Sequence, residues 1–181
     1  GINFERQEVR AYPEGSSAAQ LLGFVGKDDD GDDRGYFGLE GYYDLTLVGK
    51  NGFVTRESDA RGAPILFGDS KEIAAFGGVD LVTHVDRRIQ LLLEEKLAKG
   101  IEMYGAKSGN GIIMDPKTGG VIAMASFPSY DPQKYFDYAD EFFKNPLISD
   151  SFEPGSIFKP IIMAAGLDAG VITPQTVCDS C

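Results

Sequence analysis

The chain has few of the residues that metal and histidine chemistry need. It holds one histidine, His84, and two cysteines, Cys178 and Cys181, among 181 residues. A structural zinc ion takes about four ligands, and His84 lies far in sequence from the terminal C-x-x-C. A thioredoxin-type motif needs a helix in a βαβ context after it, and these cysteines stand at the very end of the sequence. They read as a small loop or a disulfide, so neither a metal nor a cofactor is expected. Basic charge is also short: 17 Lys and Arg stand against 28 Asp and Glu, for a net charge of −11. That balance argues against nucleic acid and anionic membrane as direct partners. No window approaches the roughly 18 apolar residues that span a bilayer, and no signal peptide opens the chain. Internal repeats and low-complexity blocks are missing too.

What is present suits a globular protein. Hydrophobic residues make up 43% and aromatics 11%, enough for a core, at a length for one sizeable domain or two small ones. A short helix is expected over Ser16–Leu22, capped by Ser16 and ended by Gly23. The acidic tract Lys27–Gly35 fails the EF-hand register, because Gly26 falls where the first carboxylate ligand is required, and it reads as a solvated loop. A helix is expected over Leu39–Leu47, ended by Gly49, then short strands at Phe53–Glu57 and Pro64–Phe67. Gly77-Gly78 marks a boundary, dividing the chain into residues 1–78 and 79–181. A strand over Val79–Val85 leads to Asp86, a plausible cap for a helix over Arg87–Tyr104. That helix sets Ile89, Leu92, Leu93, Leu97 and Ile101 on one core-facing stripe. Ile112–Met114 and Val121–Met124 form a hairpin across Asp115–Gly120, and a polar, aromatic-rich stretch, Ser129–Asp150, connects onward.

The segment Glu153-Pro154-Gly155-Ser156-Ile157-Phe158-Lys159-Pro160 carries the chemistry. On an α-helix, three residues advance about 300° and about 4.5 Å, so Ser156 and Lys159 project from one face. A Pro-Gly turn delivering Ser156 to a helix N-terminus exposes its hydroxyl and brings unpaired N–H groups close for an oxyanion. A desolvated lysine has a lowered pKa and could take the serine proton, giving acyl transfer without histidine. The tetrad alone also fits an N-cap serine followed by a solvated lysine. The run Ile161 to Leu167 is apolar nearly all round, which suits a helix buried at a domain centre. Pro160 is tolerable only in the first turn.

The Glu153–Pro160 run resembles the active-site segment of class B penicillin-binding proteins, the D,D-transpeptidases that cross-link peptidoglycan. Gly111–Gly119 with Val121–Ser126 resembles that family's opening hairpin, Phe127–Pro132 the loop after it, and Val85–Gln90 a helix start. Tyr12–Gly15, Leu22–Gly26 and Gly38–Asp44 resemble its non-catalytic pedestal. The resemblance implies an α+β fold: a mixed pedestal region over residues 1–78, followed by the N-terminal portion of a penicillin-binding, β-lactamase-like transpeptidase domain over 79–181. It implies Ser156 as nucleophile and Lys159 as general base. D-Ala-D-Ala stem peptides are implied as substrate, β-lactams as inhibitors, and division or elongation proteins as partners. The location implied is the outer face of the cytoplasmic membrane, with an anchor outside this sequence. A β-lactamase or β-lactam sensor of the same fold, a non-catalytic interaction module and a generic Ser-Lys hydrolase are the alternatives.

The family also uses Ser-x-Asn and Lys-Thr-Gly motifs. Ser108-Gly109-Asn110 and Lys117-Thr118-Gly119 match these strings but precede the nucleophile, whereas the family places them after it. Turn chemistry accounts for Lys117-Thr118-Gly119. The true partners are expected beyond Cys181. Ile157 departs from the small or hydroxylated residue more usual after the nucleophile, which bears on packing more than on chemistry.

Overall fold

The computed structural model describes residues 9–57 and 70–177. The expected strand Pro64–Phe67 and both cysteines fall outside them. The chain forms two compact units, one running to Ser149 and the other from Asp150. Both helices and strands are present, as an α+β fold requires.

In the first unit, α1 (Ala19–Leu22) leads into an antiparallel hairpin of β1 (Phe24–Lys27) and β2 (Asp33–Tyr36). The acidic tract is the turn of that hairpin. Asp28 Oδ1 accepts the N–H groups of Asp30 at 3.0 Å and Asp32 at 2.9 Å, and Lys27 pairs with Asp33 at 2.8 Å. The reading as a solvated loop holds for Asp28–Asp32 alone, since Lys27 ends β1 and Asp33–Gly35, with Gly35 buried, belong to β2. α1 starts three residues later than expected, and Ser16 does not cap it. The Ala18 N–H donates to Glu94 Oε1 at 2.8 Å and the Ser17 hydroxyl to the same oxygen at 3.1 Å. A carboxylate from a distant helix thus displaces the local cap and holds Ala18 at φ 54°. Gly23, at φ 77°, ends the helix as expected.

The helix expected over Leu39–Leu47 is two pieces, α2 (Gly38–Tyr42) and α3 (Asp44–Leu47), broken at Tyr43 with φ −103°. Asp44 accepts the Gly35 N–H at 2.6 Å, which ties α3 to β2 rather than to the axis of α2. β3 (Phe53–Arg56) pairs antiparallel with β4 (Ser70–Ile73). Gly78 belongs to a tight contact: a Cβ there would lie 1.8 Å from the Leu47 carbonyl oxygen. No strand forms over Val79–Val85. Its backbone is tied at its ends, where Val79 N–H donates to Thr46 O at 3.3 Å and Asp86 N–H, just beyond, to Ile122 O at 2.9 Å.

α4 (Arg87–Tyr104) runs as expected, with Asp86 Oδ1 accepting the N–H groups of Arg88 at 2.9 Å and Ile89 at 3.0 Å. It packs on an antiparallel hairpin of β5 (Gly109–Met114) and β6 (Val121–Phe127). Two glycines of β5 make room for its leucine stripe: Cβ atoms at Gly109 and Gly111 would sit 3.0 Å from methyls of Ile101 and Leu93. Leu92, expected on the buried stripe, is half exposed, and the buried residue of this helix is Gln90. The Gln90 amide donates to Met124 O and accepts from Met124 N–H, both at 2.9 Å, acting as a strand partner for β6.

The stretch Ser129–Asp150 is more than a connector. It forms short 3-10 turns at Pro132–Asp137 and Asp140–Phe142, then α5 (Pro146–Ser149). Its Tyr130 and Phe143 are core residues beside Tyr12, Ala19 and Phe24. Phe24 stacks on Tyr135 with ring centroids 4.3 Å apart and meets Phe143 edge-on at 4.8 Å. The core of the first unit therefore joins residues more than a hundred positions apart.

Candidate active site

In the second unit Gly155 lies at φ 55°, a left-handed conformation that glycine adopts without strain. A 3-10 turn, Gly155–Phe158, follows and passes directly into α6 (Lys159–Asp168). Lys159 N–H donates to Ser156 O across that turn. This differs from the α-helical start at Ser156 expected from the sequence. In a 3-10 turn, residues i and i+3 eclipse, one above the other about 6 Å apart along the axis, whereas an α-helix offsets them. Pro160 lies in the first turn of α6, where a missing N–H costs nothing. Ser156 caps no helix: the residue before the 3-10 turn is Pro154 and the one before α6 is Phe158. The cap reading of the serine is thereby removed.

Ser156 and Lys159 are both exposed. So is the apolar run behind them, with Ile161 and Ile162 more than half accessible. A helix buried all round is the expectation that the structure corrects. Within this unit the packing around α6 is thin; Ile172 closes on Gly166, where a Cβ would lie 2.8 Å from its Cδ1. Ile157, the unusual neighbour of the serine, is 67% exposed and presses on nothing that would displace Ser156. α6 ends at Asp168, with Gly170 at φ 68° just beyond.

The two look-alike strings have structural work. Asp115 accepts Lys117 N–H at 2.9 Å and the Thr118 hydroxyl at 3.0 Å, and Thr118 Oγ1 accepts Gly120 N–H at 3.2 Å. Those bonds, the Lys117 N–H first, hold the Asp115 carboxyl below the usual carboxylate range. Lys117-Thr118-Gly119 is therefore the β5–β6 turn. Ser108-Gly109-Asn110 enters β5, with Asn110 opposite Ser126. Sequence reasoning missed the Gln90–Glu94 pair, whose only signal is an amide beside the apolar stripe of α4. Glu94 Oε1 accepts from Gln90 at 2.6 Å as well as from Ser17 and Ala18. Among the described residues, no group of His, Cys, Asp and Glu could hold a metal ion, and no helix is long and apolar enough to cross a membrane.

Comparison with known proteins supplies the family. Residues 109–180 match the model for the penicillin binding protein transpeptidase domain, and residues 1–83 that for the penicillin-binding protein dimerisation domain. The probable peptidoglycan D,D-transpeptidase PenA of Neisseria gonorrhoeae is 36% identical over 92% of this chain and 28% of its own length. The peptidoglycan D,D-transpeptidase FtsI of Escherichia coli is 32% identical over 98% of this chain and 29% of its own. This chain thus spans under a third of these relatives. The crystal structure of penicillin binding protein 2X from Streptococcus thermophilus superposes with a TM-score of 0.70 at 26% identity, over 93% of this chain and 26% of that one. A dimerisation segment ahead of a transpeptidase segment, together with these relatives, places the chain among the class B penicillin-binding proteins.

Proposed function

We propose that this chain carries the acylated serine of a peptidoglycan D,D-transpeptidase, with residues 1–78 as part of its pedestal and 79–181 as the opening of its catalytic domain. The observation that carries the reading is the turn Gly155–Phe158, whose closing bond from Lys159 N–H to Ser156 O sets these two exposed residues one turn apart. Ser156 Oγ attacks the carbonyl carbon of the penultimate D-Ala of a stem peptide. Lys159 accepts the hydroxyl proton, the C–N bond breaks, and the terminal D-Ala leaves as the protonated amine. An amine of a neighbouring stem then attacks the acyl ester, the C–O bond breaks, and the serine regains a proton. β-Lactams acylate the same oxygen, and the site of action is the outer face of the cytoplasmic membrane. The related D,D-transpeptidases of Neisseria and Escherichia support the substrate class.

The full-length protein carrying this sequence is expected to be labelled by a fluorescent penicillin. Ser156→Ala is expected to abolish labelling, and Lys159→Ala to slow acylation by about 10²–10⁴-fold, the usual range for a positioned base. Unchanged labelling of the serine variant, checked by circular dichroism for folding, refutes the assignment.

A further inference from the structure

A small cavity lies in the first unit, where the turn before α1 meets α4 and the end of β6. It has a volume of about 20 Å³ and is lined by Ser16, Gln20, Glu94, Ser126 and Ser129, with Ala18 beside them. Ser126 is 4% exposed, and its hydroxyl oxygen is buried with no hydrogen-bond partner. A buried hydroxyl left unpaired costs about 1–3 kcal/mol, so native structures rarely leave one. Glu94 adds a second reason. Its bonds from Ser17, Ala18 and Gln90 all fall on Oε1, which leaves Oε2 without a bond among the described residues.

We infer that this cavity is a binding site for one water molecule, bridging the Ser126 hydroxyl to the Glu94 carboxylate. The size decides the occupant: about 10–15 Å³ admits one water, and a water needs two to four polar partners. The 20 Å³ present exceeds that threshold but leaves no room for an organic group. Ser126, Glu94, Gln20 and Ser129 supply the partners. Gln20 is already engaged with Pro128 O at 3.0 Å and is reached by the Ser129 hydroxyl at 3.5 Å, which fixes the wall of the site. The water completes a polar seam between three segments: the N-terminal turn, α4, and the strand pairing with Gly109–Met114.

The test is a crystal structure of the full-length protein together with thermal unfolding of Ser126→Ala. An ordered peak 2.6–3.2 Å from Ser126 Oγ, the hydrogen-bond range, is expected in the parent and lost or displaced in the variant. The melting temperature of Ser126→Ala is expected to fall by about 2–8 °C, as loss of a bridging contact in a domain of this size does. An empty cavity in the parent overturns the inference, as does a peak with the five or six oxygen neighbours of a cation. So does a variant that melts at the same or a higher temperature, because removing an unpaired hydroxyl from a dry cavity stabilises.

Discussion

Gln90 is the residue whose side chain does the most for the fold and whose role is hardest to see in isolation. Its amide satisfies the N–H and C=O of Met124 together, something no apolar residue on that stripe can do. Gln90→Leu is therefore expected to destabilise the chain by about 2–4 kcal/mol, two unpaired buried backbone groups, measured by urea unfolding. Tyr12 offers a residue-scale test with a sign. Burial first, and the Glu40 charge second, push its hydroxyl up to about 12 from about 10. A group whose folded pKa lies above its unfolded value contributes stability that is complete below the unfolded value and lost as pH rises through the folded one. Stability is thus expected to hold to about pH 10 and to decline towards pH 12. Its hydroxyl also accepts the Val25 N–H at 2.9 Å. Tyr12→Phe flattens the alkaline decline and costs about 1–2 kcal/mol at neutral pH, read from unfolding midpoints across the pH range.

Two kinds of helix start are visible among the elements. α4 begins where a side-chain cap dictates, and Asp86→Ala is expected to cost about 1 kcal/mol, with the loss of protection confined to its first turn in hydrogen exchange. α6 begins without a side-chain cap, running straight on from the 3-10 turn that follows Gly155. α1 shows the opposite balance: Ser16 sits at a plausible cap position, yet Glu94 takes the neighbouring donors and the helix starts late. Local rules set an element's start when nothing distant competes for the same N–H groups. The Val79–Val85 segment makes a related point for strands, since a run with strand composition forms no ladder here.

At the scale of the molecule, the core of the first unit crosses the boundary drawn at 78/79. Tyr12, Ala19 and Phe24 pack with Tyr130 and Phe143, and the Glu94 and Gln90 bonds run beside them. Residues assigned by family to dimerisation and residues assigned to transpeptidation therefore share one packed centre. Phe24→Ala is expected to cost about 3–5 kcal/mol, the usual range for deleting a buried ring. Because the core is shared, residues 12–36 and 130–143 are expected to lose exchange protection together. Loss confined to the first of these segments would show that the two pack independently.

Much of this was legible from the residues in order. The serine–lysine spacing, the Asp86 cap, the β5–β6 hairpin, the rejection of Lys117-Thr118-Gly119 and the glycine stops all follow from contacts within a few positions, which sequence records directly. Tertiary structure alone decided that Ser156 sits in a 3-10 turn ending just before Lys159, that α1 yields its cap to Glu94, and that Tyr130 and Phe143 are core rather than connector. Each of those depends on groups tens of residues apart, or on a choice between two helical geometries whose local energies are close. The spacing of three named a pair; the packing chose how that pair is held.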